Sequence, residues 1–255
     1  YLAEPDLLAP RLALAAIAAC VLPIVLGFVL PTLHLAQLAV TSGALVADHR
    51  FIGDTINSLV LATLAAIIIV GLALFLSYAA RLARRRSLNR AIEFASLGYA
   101  IPGAVIAVGI LLPLALADHG ISRLTQELFG LPSGLLLSGT AFALIVAYTV
   151  RFLAVGMANV APGLAAIDPA MDASARVLGA RPRQVLRYIH LPMLRAPALT
   201  AGIIAFVEVL KELPATLLIR PFNFDTLAIG VYRFASDERL AQAAVGSILI
   251  VAVSL

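Results

Sequence analysis

Glu208, Lys211 and Glu212 stand inside a run that is otherwise apolar, Phe206-Val207-Glu208-Val209-Leu210-Lys211-Glu212-Leu213-Pro214-Ala215-Thr216. At membrane depth each charged side chain costs at least about 2.5 kcal/mol unless it is paired or hydrated. Positions three and four apart share a helix face, so all three groups can turn to one side. Lys211 can neutralise one carboxylate and leave roughly one negative charge. Pro214 weakens the helix just beyond. Two readings stay open: a polar, net-acidic lining of a translocation path near a helix break, or a structural ion network against a partner helix. Other chemistry is thin. His34, His49, His119 and His190 are scattered, with no paired metal-ligand spacing. No Ser/His/Asp set and no Gly-rich nucleotide loop is visible. No G-x-x-x-x-G-K-[ST] loop exists, since the only lysine, Lys211, is followed by Glu212. The expectation is no catalytic residues, no metal site and no ATP bound in the usual way.

Composition names the medium in which these charges sit. The chain is 62% hydrophobic and 13% charged, with mean hydropathy +1.03. A soluble domain of this length carries roughly twice that charge. The net charge of +4 could suggest nucleic acid. The basic residues are nearly all arginines in short loops between apolar runs, which is a topology signal instead. The single cysteine, Cys20, lies in an apolar span, so no disulfide framework is expected. The chain opens on Tyr1 and stops at Leu255 inside an apolar run, and reads as a piece of a longer polypeptide without a recognisable signal peptide.

A bilayer core needs about 20 apolar residues per helix. Stretches 12–33, 55–80, 94–117 and 128–150 qualify. A fifth, 196–219, is interrupted by the three charges, and a sixth begins near Leu240 and is truncated. The expected fold is an all-α membrane protein of six transmembrane helices. Gly98, Pro102, Gly103 and Gly109 punctuate the third span, where they allow close helix approach or a kink. Arg151, at the end of the fourth, reads as a snorkelling anchor. Arg81, Arg84, Arg85, Arg86 and Arg90 crowd the second loop, and Arg176, Arg181, Arg183, Arg187 and Arg195 the fourth. Those loops are therefore expected to be cytoplasmic, together with the N-terminus of this segment, and 220–239 periplasmic.

The fourth loop, 168–192, has its own local logic. Asp168 is a good N-cap and Pro169 suits the first helical position. Asp172 in the first turn and Arg176 in the last complement the helix dipole. Gly179 can take the left-handed conformation that stops a helix. Pro182 starts a second short helix, 182–190, with Val185, Leu186 and Ile189 on one face, and Pro192 ends it.

Ala173-Ser174-Ala175, then Gly179, then nine residues and Ile189-His190-Leu191-Pro192 resembles the coupling loop (the EAA loop) of binding-protein-dependent ABC importer permeases. The resemblance departs at Ala173, where the family usually has Glu; the acidic group lies one residue earlier, at Asp172. It implies a type I importer permease fold whose loop docks on a separate ATPase through Asp168, Asp172, Ala173, Ser174, Ala175, Gly179, Ala180, Arg183, Leu191 and Pro192. The runs Lys211-Glu212-Leu213-Pro214-Ala215-Thr216 and Arg220-Pro221-Phe222-Asn223-Phe224-Asp225-Thr226-Leu227 resemble the second half of ferric-iron importer permeases. The resemblance covers about residues 51–255, with 1–50 a first transmembrane helix and external loop. It implies a bacterial inner-membrane, multi-pass subunit working with an ATPase dimer, which holds the ATP and Mg, a periplasmic solute-binding protein and a second permease half in the same polypeptide or complex. Permeases for thiamine, phosphonates or polyamines share parts of the pattern. The rival from another class is a secondary transporter using Glu208, Lys211 and Glu212 as an ion relay, which would need no ATPase dock.

Overall fold

In lipid every backbone amide must be satisfied within the protein, and a helix does this segment by segment. The computed structural model describes residues 10–41, 49–83, 85–130 and 134–255, and every regular element among them is helical. Arg84, counted above in the second loop, lies outside the described residues, as do the side chain of His49 and positions 42–48 of the expected external loop.

The chain begins with α1 (Pro10–Ile24), a π-helical turn (Val25–Val29) and α2 (Leu30–Thr41), which together run apolar from Arg11 to Thr41. Pro23 and Pro31 flank the π turn. Pro31 lacks an N–H and crowds the carbonyl of Gly27, four residues back within the π turn, and the wider turn relieves that crowding. α3 (His49–Ala83) is the longest helix. It is followed by α4 (Arg86–Ala95), a 3₁₀ turn (Ser96–Ala100), α5 (Gly103–Phe129) and α6 (Ala141–Ala165). Then come α7 (Pro169–Val177), α8 (Pro182–Val185), a second π turn (Leu186–His190) and α9 (Leu191–Met193). α10 (Arg195–Leu210), α11 (Pro214–Ile219), α12 (Leu227–Ser236) and α13 (Leu240–Ser254) complete it.

Among the described residues, four stretches are long and apolar enough to cross a membrane, and the bent pair Pro182–Met193 and Arg195–Leu210 makes a fifth. The 15-residue apolar α13 stands where the truncated sixth was expected. The core is the packing of α3, α6 and α10 on one another. Its seams are small: Ala62, Ala65, Ala143, Ala147 and Ala205 are fully buried, with Ile69, Leu144 and Phe152 between them. Lipid is as apolar as leucine, so helices associate through close van der Waals contact, which small residues permit. A Cβ on Gly156 would stand 3.0 Å from Ala73 Cβ.

Two expected spans are displaced toward the C-terminus. The third, expected at 94–117, is α5 (Gly103–Phe129), and the fourth, expected at 128–150, is α6 (Ala141–Ala165). Pro102 stops the turn before it, because the residue preceding proline is driven to extended backbone, and Ile101 has ψ 133°. Asp118, which ended the expected third span, lies buried within α5. Its carboxylate accepts hydrogen bonds from the amides of Leu136, Leu137 and Ser138 and from the Ser138 hydroxyl, at 2.6–3.0 Å. A carboxylate so satisfied is tolerated in apolar surroundings. The segment it holds leads to Thr140, whose hydroxyl accepts from the Phe142 amide at the start of α6.

Candidate functional site

The 168–192 segment folds as two short helices with the caps its residues dictate. The Asp168 carboxylate accepts from the Ala170 amide at 2.8 Å, with Pro169 beside it at the start of α7. At the other end Gly179 has φ +79°, and the Ala180 amide donates to the Ala175 carbonyl at 2.9 Å. That six-to-one bond around a left-handed glycine closes the helix terminus. The Arg181 amide donates to Gln184 Oε1 at 2.7 Å and opens α8. Pro192 does not end the second helix as expected. The chain stays helical through Met193 and bends by 68° at Leu194. The π turn Leu186–His190 just ahead of Pro192 is wide enough to relieve the ring's clash with the preceding turn.

The loop is anchored rather than free. Arg81, near the end of α3, donates to Asp172 Oδ2 at 2.9 Å, to the Leu164 carbonyl at 2.6 Å and to the Ile167 carbonyl at 3.0 Å. The other Asp172 oxygen lies 2.7 Å from His190 Nε2, and His190 is buried. The Tyr78 hydroxyl donates to the Pro182 carbonyl at 2.7 Å, and its ring meets His190 edge-on. Burial alone would push the Asp172 carboxyl up, but the hydrogen bonds and charges of Arg81 and His190 outweigh it and hold it below its ordinary range. Arg81 was legible only as a topology marker and His190 only as a scattered histidine. Nothing in the sequence links positions 81 and 172, 91 residues apart.

With the base pinned, the tip is apolar. Val177 and Leu178 are 87% and 86% exposed, and Tyr188 in the following π turn is exposed as well. Ala173, Ser174 and Arg183 are exposed, whereas Ala175 is buried. Leu191 and Pro192 are exposed and Ala180 is half-buried.

The charged run is divided, which corrects its placement on one helix face. α10 ends at Leu210 and α11 begins at Pro214. Proline has no N–H to continue the ladder, Lys211 already has ψ 0°, and the Glu212 amide donates to the Val209 carbonyl rather than to that of Glu208, so Glu212 leaves the helical phase of Glu208. Lys211 Nζ pairs with Glu208 Oε1 at 2.8 Å, and the lysine side chain is 52% exposed. Glu212 turns inward and is buried. Its Oε1 accepts from the Ala215 amide at 3.1 Å, and its Oε2 lies 3.4 Å from Arg151 Nε. Arg151 is thus no snorkelling anchor. α6 continues a further 14 residues beyond it, so the arginine sits in mid-helix facing the break.

At the opposite end of α3 the Arg220-to-Leu227 run makes a stapled loop. Asp225 pairs with both Arg220 and Arg233, and Asn57 donates to the Asp225 carbonyl at 3.0 Å. A cavity of about 640 Å³ opens there, lined by Arg50, Asp54, Asn57, Arg220, Asn223 and Arg233 among others.

Known proteins resemble this chain in sequence and in fold. The family described as "Binding-protein-dependent transport system inner membrane component" matches residues 73–255. The Fe(3+)-transport system permease protein FbpB 2 of Haemophilus influenzae is 26% identical over 205 residues, 80% of this chain and 37% of that protein. The chain therefore spans well under half the length of that relative. The putative 2-aminoethylphosphonate transport system permease protein PhnV of Salmonella typhimurium is 26% identical over 180 residues, 63% of this chain and 68% of that protein. A chain of a bacterial ABC transporter involved in the import of the acidic polysaccharide alginate superposes with TM-score 0.74 at 17% identity, covering 96% of this chain and 91% of that one. The alginate transporter in complex with alginate pentasaccharide-bound periplasmic protein gives TM-score 0.70 at 16% identity, over 96% and 90%. The structural likeness is one of fold. The matched residues are well over half of the 255 and include both the anchored loop and the charged break, so the chain belongs to the family of binding-protein-dependent transport system inner membrane components.

Proposed function

We propose that this chain is the translocation half of an ATP-driven importer, and that it hydrolyses no ATP itself. The observation that carries the reading is the loop: a capped, anchored knob with an apolar tip, joined through a bend to the helix that ends at the charged break. A tip such as Val177 and Leu178 is stable in water only at some cost, and a groove on an ATPase subunit would remove it from water. Asp168, Asp172, Gly179 and Ala175 shape the knob; Ala173, Ser174, Arg183, Leu191 and Pro192 border the contact, with Ala180 between. The knob would face the cytoplasm, with the N-terminus of this segment on the same side and 220–239 in the periplasm. The stapled outer loop then faces a solute-binding protein, and residues 51–255 act as the permease domain behind a first helix in 1–50.

The Lys211–Glu208 pair marks the path. A half-exposed lysine at this depth cannot face lipid without a penalty of about 2.5 kcal/mol or more. It faces water or a second permease half, so these two residues, with Glu212 behind them, form the polar lining. Ferric iron is the proposed cargo, supported by the Haemophilus relative and by the 211–216 and 220–227 runs. The Salmonella relative supports a phosphonate instead. Purifying the intact complex tests the class, and radiolabelled uptake of ferric iron against 2-aminoethylphosphonate tests the cargo. An ATPase and a periplasmic binding protein are expected to copurify. A complex without an ATPase, moving solute on an ion gradient alone, would overturn the reading in favour of a secondary transporter.

A further inference from the structure

The helical course of this chain is broken at two places near one side chain, and both breaks open toward that side chain of an unbroken helix. The first lies at Ile101 and Pro102, between the 3₁₀ turn and α5. The second lies at 211–213, between α10 and α11. Each strands backbone groups that a continuous helix would satisfy. Arg151 of α6 reaches both: its Nη1 donates to the Ile101 carbonyl at 3.2 Å, and its Nε lies 3.4 Å from Glu212 Oε2. Glu212 in turn caps α11 through the Ala215 amide and accepts the Thr216 hydroxyl on its carbonyl at 2.7 Å. Gly103 sits in the crook. Any Cβ there would collide with Glu212 Oε1 and stand 2.6 Å from Arg151 Nη1. A methyl group at Gly103 would have to displace the Glu212 carboxylate and the Arg151 guanidinium from where they stand.

We infer that Arg151 is a positioning residue for translocation: it pins both helix breaks to α6 and so sets where Lys211 and Glu208 stand. The inference rests on the importer reading above. α10 is bent off the anchored knob at one end and meets the break at the other, so a displacement of the knob arrives at residues 211–213. Lys211 immediately precedes Glu212. With Glu212 held inward by Arg151, the lysine is turned outward to Glu208. An arginine suits the task because its planar fork can donate to the Ile101 carbonyl through Nη1 while its charge sits beside Glu212, whereas a lysine offers one point charge.

The test uses the intact complex in proteoliposomes, with Cys20→Ser and Leu213→Cys added so that N-ethylmaleimide reports on the break. Arg151→Met alone leaves the Glu212 carboxylate buried without its cation, and complex yield should fall. Arg151→Met with Glu212→Gln removes both charges, and yield should recover. In that double variant, labelling at position 213 should be roughly fivefold or more faster, equal to about 1 kcal/mol of lost pinning. Uptake per complex of whichever cargo the unaltered complex carries, ferric iron or 2-aminoethylphosphonate, should fall by roughly tenfold or more. Arg151→Lys should recover yield but only part of the uptake. Unchanged labelling in the double variant, or faster labelling with unimpaired uptake, would overturn the inference and leave a purely structural ion pair. If the unaltered complex carries neither cargo by ATP hydrolysis, the importer reading fails by itself, and the labelling comparison still decides whether Arg151 pins the break.

Discussion

Removing the Asp172 carboxylate should unpin the knob without disturbing the helices behind it. Asp172 makes two charge-assisted hydrogen bonds, at 2.9 Å to Arg81 and 2.7 Å to His190. Such bonds are worth about 1.5–3 kcal/mol each when buried. The Asp172 side chain is 21% exposed, and Arg81 keeps the Leu164 and Ile167 carbonyls when the carboxylate is lost. The net cost of Asp172→Ala is therefore nearer ~2 kcal/mol, an opening equilibrium shifted by roughly 30-fold. Hydrogen exchange on the membrane-embedded chain reads this directly. Amides across 169–190 should exchange roughly 30-fold faster, with those of α6 and α10 unchanged. Asp172→Asn keeps an acceptor oxygen and should give a smaller acceleration. Arg81→Ala should open the same segment further, because it also removes the hydrogen bonds to the Leu164 and Ile167 carbonyls. Since the folded carboxyl lies below its ordinary value of 3.8, its contribution is complete above that value. It is lost only as pH falls through the lower folded value, so Asp172 adds no pH dependence near neutrality. Exchange in Asp172→Ala within about threefold of the unaltered chain would refute the anchoring argument.

Gly179→Val should uncouple ATP hydrolysis from uptake. No atom crowds a Cβ there, so the cost is that of left-handed backbone alone, about 1–2 kcal/mol and more for a β-branched residue; Gly179→Asn should be milder, and normal stimulated ATPase activity in the valine variant would sink the idea. Lys211→Met should strand Glu208 rather than a Glu208–Glu212 pair, since Glu212 has Arg151. Adding Glu208→Gln should restore assembly but not full uptake, and recovery of both would remove these residues from the path. In a Cys20→Ser background, Ser236→Cys should react with a membrane-impermeant maleimide in spheroplasts and Arg183→Cys should not; the reverse pattern would overturn the orientation.

The loop was legible because its instructions are local. Asp168, Pro169, Gly179 and Pro182 act within a turn of themselves, through caps and a left-handed stop, and the structure places each as the sequence implies. The apolar spans were legible for a similar reason, since a bilayer imposes a length on any apolar run; among the described residues four of the six expected are long enough, a fifth is a bent pair, and α13 is a shorter apolar helix. Span position was less so. Counting apolar residues from one charge to the next placed the third and fourth spans too early, because Asp118 lies inside a helix rather than at its end. Its partners, the amides of 136–138, are supplied by another segment.

The sequence by itself determined that the chain is a helical membrane protein, where its 168–192 loop turns, and that charges at 208, 211 and 212 must find partners. Only the tertiary structure decided which partners they find. Glu212 pairs with Arg151, 61 positions away in the chain, and Asp172 with Arg81 and His190. The physical reason is that caps and stops are written within a few residues, whereas a buried charge is answered by whatever packing brings near. Pro214 shows both sides at once. Its missing N–H makes a break predictable from the sequence, but the direction in which Glu212 leaves the helix was set by a guanidinium on α6.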